Sequence, residues 1–515
     1  MDHRIKLPDQ ILCFPLISHF SYVILFSIHI LKGKTMDKKP NIVIIMADQL
    51  RYDMINKQYT PNISALADNS VVFQRAYCAS PLCVPARGSF FTGNYPNVSG
   101  SIINPWDDRD KAFGYVKAGT PNLFSLLENT YDSWHVGKQH FLTQEYKNNG
   151  PSPNTHLVYN EKAYSEHLER NGQRRPGGPD FMGITPEMTG GRFTQKKQYS
   201  IPATGCYEGG FEHFFDGYFL KGALEAIQRR DPAKPFMLNT MFLAPHPPFD
   251  IPNPWFDMYQ TAAVPANVGR WYDGQSPLQL YNLTGFIGTR YTRSDWAQIW
   301  RVYAGLVSLL DECVGQIIQR LKEENIFDDT LIIFTSDHGE MLGSHMLWQK
   351  MCMYEESVRT PLLFKLPKNM QVLPKTIAQP VSAVDILPTI CEIIGIQPPA
   401  VCGTSRLPLI KGEGQAADKD IYIQFDGNGA RGNFSRCVIR ENYKLIVDLF
   451  QNETFFSLYD IEKDRQEMQN LAFDEEYSKI TKTLTAQLRR HMRETNDLLS
   501  IPRGAFAQFK KMYTK

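Results

Sequence analysis

Apolar residues along this chain keep two rhythms. Strand-like runs rich in apolar residues occupy 41–47 (NIVIIMA), 71–77, 133–136, 235–243 (PFMLNTMFL) and 330–335 (TLIIFT), and the first of them is continuous. Runs without polar interruption belong to strands covered on both faces, as in a parallel sheet. Helical spacing fills the intervals. Over residues 296–324, Val302, Leu306, Leu309, Leu310, Val314, Ile317 and Leu321 recur at i, i+3 and i+4, which predicts one long amphipathic helix. Shorter helices are predicted at 60–68, where Pro61 stands near the start, at 87–92 and at 121–129. Residues 142–215 are weakly periodic and rich in Gly, Pro and Asn, and read as long loops with short elements.

Strand–helix alternation from residue 37 to about 400 predicts an α/β helix–sheet–helix sandwich with a mostly parallel sheet. Pro398-Pro399 and the loop at 412–415 mark a boundary. Beyond it, short strands at 421–425, 435–438, 443–447 and 455–459 and a charged amphipathic helix at 475–498 predict a smaller C-terminal α+β subdomain. The expected organisation is an extension at 1–36, a large catalytic domain at 37–415 and the subdomain at 416–515.

The extension is unlike the rest of the chain. An apolar run at 11–31 comes after a basic start, MDHRIK, in the manner of a signal peptide or a single span. It holds Pro15, His19 and His29, lacks a small-residue cleavage site and is followed by Lys32 and Lys34. Met36 then opens MDKKPNIVIIMADQL, which leads straight into the first strand. The expectation is that Met36 is the natural start and the protein cytoplasmic. The alternative is a translated extension and a periplasmic or secreted protein.

Composition narrows the classes. The chain has 515 residues, 43% hydrophobic and 21% charged, with a formal net charge of +1. Near-zero net charge gives no global electrostatic case for nucleic acid or an anionic membrane. Nine cysteines form an odd, sparse set without a CxxC pair, which argues against a disulfide framework or a zinc knuckle.

Chemistry in open α/β sheets collects at the carboxyl ends of strands. Four runs end in polar clusters: Asp48-Gln49, Gly137-Lys138-Gln139-His140, His246 in APHPPF, and Asp337-His338-Gly339. A lone lysine is ordinarily solvated and a lone histidine ordinarily structural, so it is the surrounding text that singles these out. A further segment, AYCASPLCVPARGSFFTG, holds Cys83-Val84-Pro85-Ala86-Arg87. By itself Cys83 would be a small core residue.

Together these segments resemble the type I sulfatases of the alkaline-phosphatase-like superfamily, whose signature is Cys-x-Pro-x-Arg followed by Thr-Gly. The resemblance covers nearly all of residues 37–515 and implies the alkaline-phosphatase-like fold. It implies that a formylglycine-generating maturation enzyme oxidises Cys83 to formylglycine, whose hydrate places two hydroxyls on one carbon. One attacks the sulfur of a sulfate ester and the other expels sulfate.

By the same resemblance, Asp48, Asp337 and His338 bind a divalent cation together with an oxygen on the modified Cys83. Gln49 stands where the family commonly has a second acid. Hard oxygen ligands suit Ca²⁺, and an imidazole with fewer carboxylates leaves Mn²⁺ as the alternative. Arg87 is expected beside the hydrate. Lys138 and Lys350 are expected on the sulfate oxygens, His140 near the hydrate, and His246 on the sulfate or the leaving oxygen. His345 is expected to stiffen its loop, and Glu355, Glu356 and Arg359 to form ion pairs.

The implied function is hydrolysis of a sulfate monoester on a small molecule or glycan, most simply a carbohydrate. A phosphonate monoester hydrolase or phosphodiesterase of the same superfamily is the alternative, and a non-catalytic glycan-binding scaffold is a third reading. For specificity, Asp426, Asn428 and Arg431 in a Gly-rich loop are candidates to read sugar hydroxyls or a carboxylate. Arg170, Arg174 and Arg175 form a small basic cluster.

Overall fold

Eight consecutive buried residues, Asn41–Asp48, form a central strand of an eight-stranded sheet. The computed structural model describes residues 39–513 apart from 107, 146–151, 190–192 and 414–418. In chain order the sheet strands are β1 (Asn41–Asp48), β2 (Val71–Phe73), β3 (Asp132–Gly137), β4 (Thr155–Asn160), β5 (Phe236–Pro245), β6 (Thr330–Ser336), β7 (Leu362–Lys365) and β8 (Lys375–Ile377). They lie in the order β8-β2-β7-β6-β1-β5-β3-β4. The run β6-β1-β5-β3-β4 is parallel throughout. β7 is antiparallel to both β6 and β2, and β8 is parallel to β2.

The main helices are α1 (Pro61–Ala67), α2 (Cys83–Thr92), α3 (Glu161–Arg170), α4 (Phe215–Arg229), α5 (Arg293–Glu323) and α6 (Ser478–Glu494). Alternate residues of β1 feed two separate cores. Val43, Ile45 and Ala47 join Leu306, Leu310 and Val314 of α5, whereas Ile42, Ile44 and Met46 join Phe90 and Phe91 of α2 and Leu387 and Ile390. Burial on both faces is why the run at 41–47 carries no polar interruption, and it makes the expected helix–sheet–helix sandwich. α5 begins three residues before its predicted start. There Thr292 Oγ1 accepts from the Asp295 N–H at 3.3 Å, and the Asp295 carboxylate accepts from the Thr292 N–H at 2.8 Å.

Two sequence expectations need correction. Residues 142–215 are not mainly loop: they hold β4, α3 and an antiparallel hairpin, Met182–Thr189 with Phe193–Ser200. Periodicity is weak there because α3 buries only Tyr164 and Leu168 and the hairpin pairs only with itself. The run at 71–77 is two strands, Val71–Phe73 and Ala76–Tyr77, which enter different sheets.

The C-terminal subdomain is a four-stranded antiparallel sheet, β9 (Ile421–Phe425), β10 (Phe434–Arg440), β11 (Tyr443–Phe450) and β12 (Glu453–Asp460), paired in that order. Leu484, Leu488 and Met492 of α6 share a core with Val438, Leu445, Phe456 and Leu458. The extension at 1–36 with its apolar run, and the boundary at 415/416, lie outside the described residues. Among the described residues no helix is long and apolar enough to cross a membrane. The eight described cysteines are free thiols.

Candidate active site

Four neighbouring parallel strands deliver five polar residues to the same edge of the sheet. β1 ends in Asp48, β6 runs into Asp337 and His338, β5 leads to His246, and β3 leads to Lys138. This is the carboxyl edge, where strand ends leave room for chemistry. Gly137 makes the turn to Lys138 possible: its φ is +93°, and a Cβ there would lie 2.1 Å from the Met241 carbonyl oxygen. The Lys138 N–H donates to that same carbonyl at 3.0 Å. The buried Asp216, near the start of α4, accepts from the Leu243 and Ala244 N–H groups of β5 at 2.7 and 3.2 Å, fixing the backbone just before His246.

Cys83 is the first residue of α2, so the predicted helix begins at the cysteine rather than beneath it. All ten residues of α2 are buried. Asp48, Cys83, Asp337 and His338 offer ligand atoms within 4.8 Å of one another. His338 Nε2 lies 3.3 Å from Cys83 Sγ, and Asp48 Oδ1 lies 3.8 Å from it. His338 Nδ1 faces the Gly339 carbonyl at 3.0 Å, and a carbonyl only accepts, so Nδ1 carries the hydrogen and Nε2 turns a lone pair toward the cluster. Two buried carboxylates and a pre-aimed imidazole nitrogen form a donor set that fits a divalent cation.

Cations balance the acids. Arg87, fully buried, donates from Nε to Asp337 Oδ2 at 3.1 Å and from Nη2 to Asp48 Oδ2 at 2.7 Å. Lys138 Nζ donates to Asp48 Oδ2 at 2.6 Å. Burial alone would push the Asp48 carboxyl up, but Lys138, His246, Arg87 and Lys350 outweigh it and hold it well below the usual carboxylate range. Burial and Asp48 push the Cys83 thiol up, and Lys350, Lys138 and His338 bring it below its ordinary value. Burial pushes the His338 imidazole down, but Asp337 and Cys83 outweigh it and bring it above its ordinary value.

Gln49 adopts φ +68°, a left-handed conformation uncommon outside glycine. Its N–H donates to Asp337 Oδ1 at 3.1 Å, and its carbonyl accepts from Tyr303 Oη at 2.9 Å. Its side-chain Oε1 accepts from Lys350 Nζ, and its Nε2 donates to Glu340. Gln49 therefore joins the strand end bearing Asp48 to the loop bearing Lys350.

A cleft of about 680 Å³ opens over the cluster, and Cys83, Lys138, His140, His246 and Lys350 all line it. Burial, with Lys138 and Arg87, pushes His140 well below the ordinary histidine value, and burial, with Lys350 and Lys138, does the same for His246. His246 Nδ1 faces the Pro247 carbonyl at 2.6 Å, and its Nε2 has no partner among the described residues.

The remaining candidates divide between the cleft and the rest of the protein. Asp426 is paired with Arg436 at 2.9 Å, and the Arg431 guanidinium lies over Phe113 and Phe434 at 5.2 and 5.6 Å. Arg174 pairs with Asp250, whereas Arg175 and Asn428 line the cleft. His345 stacks on Tyr354 at 4.0 Å, within its loop. Glu355 pairs with Lys444 at 3.0 Å and with Arg359 at 3.5 Å.

Sequence reasoning missed Glu340, Asn104 and Trp106. Glu340 Oε1 accepts from the Leu342 and Gln349 N–H groups at 2.8 and 2.7 Å, shaping the loop before Lys350. Its place directly after Asp337-His338-Gly339 is the signal that could have found it. Asn104 and Trp106 line the cleft from a segment without motif or periodicity.

The chain has relatives among known proteins. Residues 40–396 match the family model described as Sulfatase, and residues 343–494 match the one described as N-sulphoglucosamine sulphohydrolase, C-terminal. The choline-sulfatase of Rhizobium meliloti (strain 1021) is 27% identical, with 87% of this chain and 85% of that protein covered. A phosphonate monoester hydrolase of Agrobacterium radiobacter superposes with a TM-score of 0.72 at 23% identity, over 89% of this chain and 96% of that one. A structure described as being in complex with its substrate D-glucosamine-2-N,6-O-disulfate gives 0.67 at 20% identity, over 90% and 99%.

Proposed function

This chain belongs to the sulfatase family of sulfuric ester hydrolases, and from that premise we propose that it hydrolyses a sulfate monoester on a carbohydrate through a formylglycine hydrate made from Cys83. One observation carries the reading. Cys83 shares a single cleft with two lysines and two histidines, Lys138, Lys350, His140 and His246, beside the buried Asp48, Asp337 and His338. A tetrahedral monoanion needs several converging donors, and these residues supply them.

In this reading Lys138 and Lys350 hold sulfate oxygens as point charges. His140, kept neutral by burial and by Lys138, accepts the proton that releases sulfate. His246 keeps Nδ1–H on the Pro247 carbonyl and presents Nε2 to the leaving oxygen. Burial lowers its proton affinity first and Lys350 and Lys138 lower it further, and an anionic sulfate between the lysines offsets their share. Arg87 neutralises Asp48 and Asp337 and keeps both in place. The hydrate supplies two hydroxyls on one carbon, one for attack and one for release. Asp48, Gln49, Cys83, Asp337 and His338 would hold a divalent metal, Ca²⁺ in preference to Mn²⁺, which supplies Lewis-acid stabilisation of charge on sulfate oxygens. The partner this chemistry requires is a formylglycine-generating maturation enzyme.

A sulfated aminosugar is the substrate of one fold relative, and a cleft of about 680 Å³ is within the usual size for a small-molecule site. The second reading is phosphonate monoester hydrolysis. A phosphonate monoester hydrolase is among the fold relatives, and Gln49 beside Asp48 leaves one fewer negative charge at the metal site. Comparing kcat/KM for an aryl sulfate and an aryl phosphonate monoester separates the two. The proposal expects the sulfate ahead by more than about tenfold, or 1.4 kcal/mol. An equal lead for the phosphonate would replace it.

A further inference from the structure

The cleft is walled partly by the C-terminal subdomain, through Asn428 on the loop between β9 and β10. Its side chain is set by a chain of donor and acceptor constraints that begins at the nucleophile helix. The Val84 N–H, in the first turn of α2, donates to Asn104 Oδ1 at 3.1 Å. A backbone N–H can only donate, so Asn104 must turn its oxygen toward α2 and its amide nitrogen away. Asn104 Nδ2 then donates to Asn428 Oδ1 at 3.0 Å. Asn428 is thereby forced to turn its own Nδ2 out of the pair. That nitrogen has no acceptor among the described residues, although the residue is only 6% exposed and lines the cleft. The amide nitrogen therefore opens onto the cleft with two N–H groups free to donate to whatever occupies it.

Trp106 stands next to it. This tryptophan is 56% exposed, an unusual state for so large an apolar side chain. It lines the same cleft, its ring is 5.5 Å from that of His140, and a Cβ on Gly429 would touch its Cβ at 3.5 Å. Gly429 has φ +82°, a backbone conformation that favours glycine, and it sets the subdomain loop beside Trp106.

We propose that Asn428 and Trp106 form the subsite that reads the leaving group: a pyranose lies against the indole, and one of its acceptor oxygens takes the Asn428 Nδ2 hydrogen. The proposal rests on the sulfatase reading and adds to it the residues that select a sugar over other alcohols. Asn104 is the positioning residue of the subsite, since it decides which end of the Asn428 amide faces the substrate. An alcohol without ring or hydroxyl acceptors, such as a simple phenol, gains nothing from this nitrogen.

The test uses the full-length matured enzyme with 4-nitrophenyl sulfate and a panel of O- and N-sulfated aminosugars. The quantity read is the ratio of kcat/KM for the best sugar to kcat/KM for the aryl ester. Asn428→Ala is expected to lower the ratio by about tenfold or more, and Trp106→Ala to lower kcat/KM for the sugar by a similar factor, since the aryl ring can stack on the indole as well. Asn428→Asp keeps the size and the acceptor for Asn104 but removes the donor, and is expected to lower the ratio as Asn428→Ala does. Asn104→Asp accepts from Val84 and now also from Asn428, turning the Asn428 oxygen to the cleft, and is expected to lower the ratio likewise. Ratios that stay within about twofold of the unmodified protein in Asn428→Asp and Asn104→Asp, with melting temperatures unchanged, overturn the subsite. Wild-type protein that turns over no sulfate ester at all overturns the underlying reading instead.

Discussion

His338 Nε2 and Cys83 Sγ, 255 residues apart in sequence, face each other at 3.3 Å with the imidazole's other nitrogen tied to a backbone carbonyl. The pair joins the end of β6 to the start of α2, so one side chain from each of two rigid elements defines the reacting position. Replacing Cys83 by Ala removes the precursor of the nucleophile while leaving the rest of the cleft. Turnover is expected to fall by about 10⁴-fold or more, with a melting temperature close to that of the parent. Retained sulfate-ester turnover in Cys83→Ala would place the chemistry on another group.

The same geometry predicts dependence on a divalent ion. Dialysis against a chelator is expected to abolish turnover, and Ca²⁺ to restore it. Asp337→Asn is expected to weaken metal binding by about 100-fold or more, read by equilibrium dialysis with elemental analysis. Full activity in chelator-treated protein with no bound metal would contradict the assignment.

Glu340 offers a test of how the Lys350 loop is held. Its carboxylate accepts from two backbone N–H groups of that loop and from Gln49. Glu340→Ala leaves those buried donors without an acceptor, and a loss of about 3 kcal/mol in urea unfolding is expected. A change under about 0.5 kcal/mol would show that the loop is held by other contacts.

Stability should also depend on pH through the joint between the large domain and the subdomain. Lys444, fully buried, lies 3.0 Å from Glu355 and 2.9 Å from Glu467. One ammonium cannot balance two buried carboxylates. Burial, with Glu355 and Glu356 adding to it, pushes Glu467 up to about 8 against the opposing pull of Lys444, from an ordinary value of 4.5. Between those values the unfolded chain loses this proton and the native protein keeps it, so raising the pH lowers stability across that window. Glu467→Gln cannot ionise. Its melting temperature is expected to gain on the wild type as pH rises from about 5 to about 8. Parallel melting curves across that range would contradict the charge imbalance.

The parts of this site legible in the sequence share one property: each is announced by its own neighbours. Asp48, Lys138, His246, Asp337 and His338 follow apolar strands, and Cys83 and Arg87 lie in a short motif. Interactions between distant segments were not legible. Gln49 could be seen to replace an acid, but not that Lys350 and Glu340 divide its amide between them. Asn104 and Asn428 meet across 324 residues, and neither segment has a periodicity that reports the meeting. α3 and the hairpin at 182–200 were missed because amphipathic signals weaken where an element buries little.

The measurement closest to the central claim is the mass of the peptide carrying Cys83, taken from protein that turns over sulfate esters. Conversion of the thiol to the aldehyde exchanges sulfur for oxygen with loss of two hydrogens, a decrease of about 18 Da. The account predicts that decrease, in proportion to activity. Active protein whose Cys83 peptide carries only the unmodified thiol would contradict it.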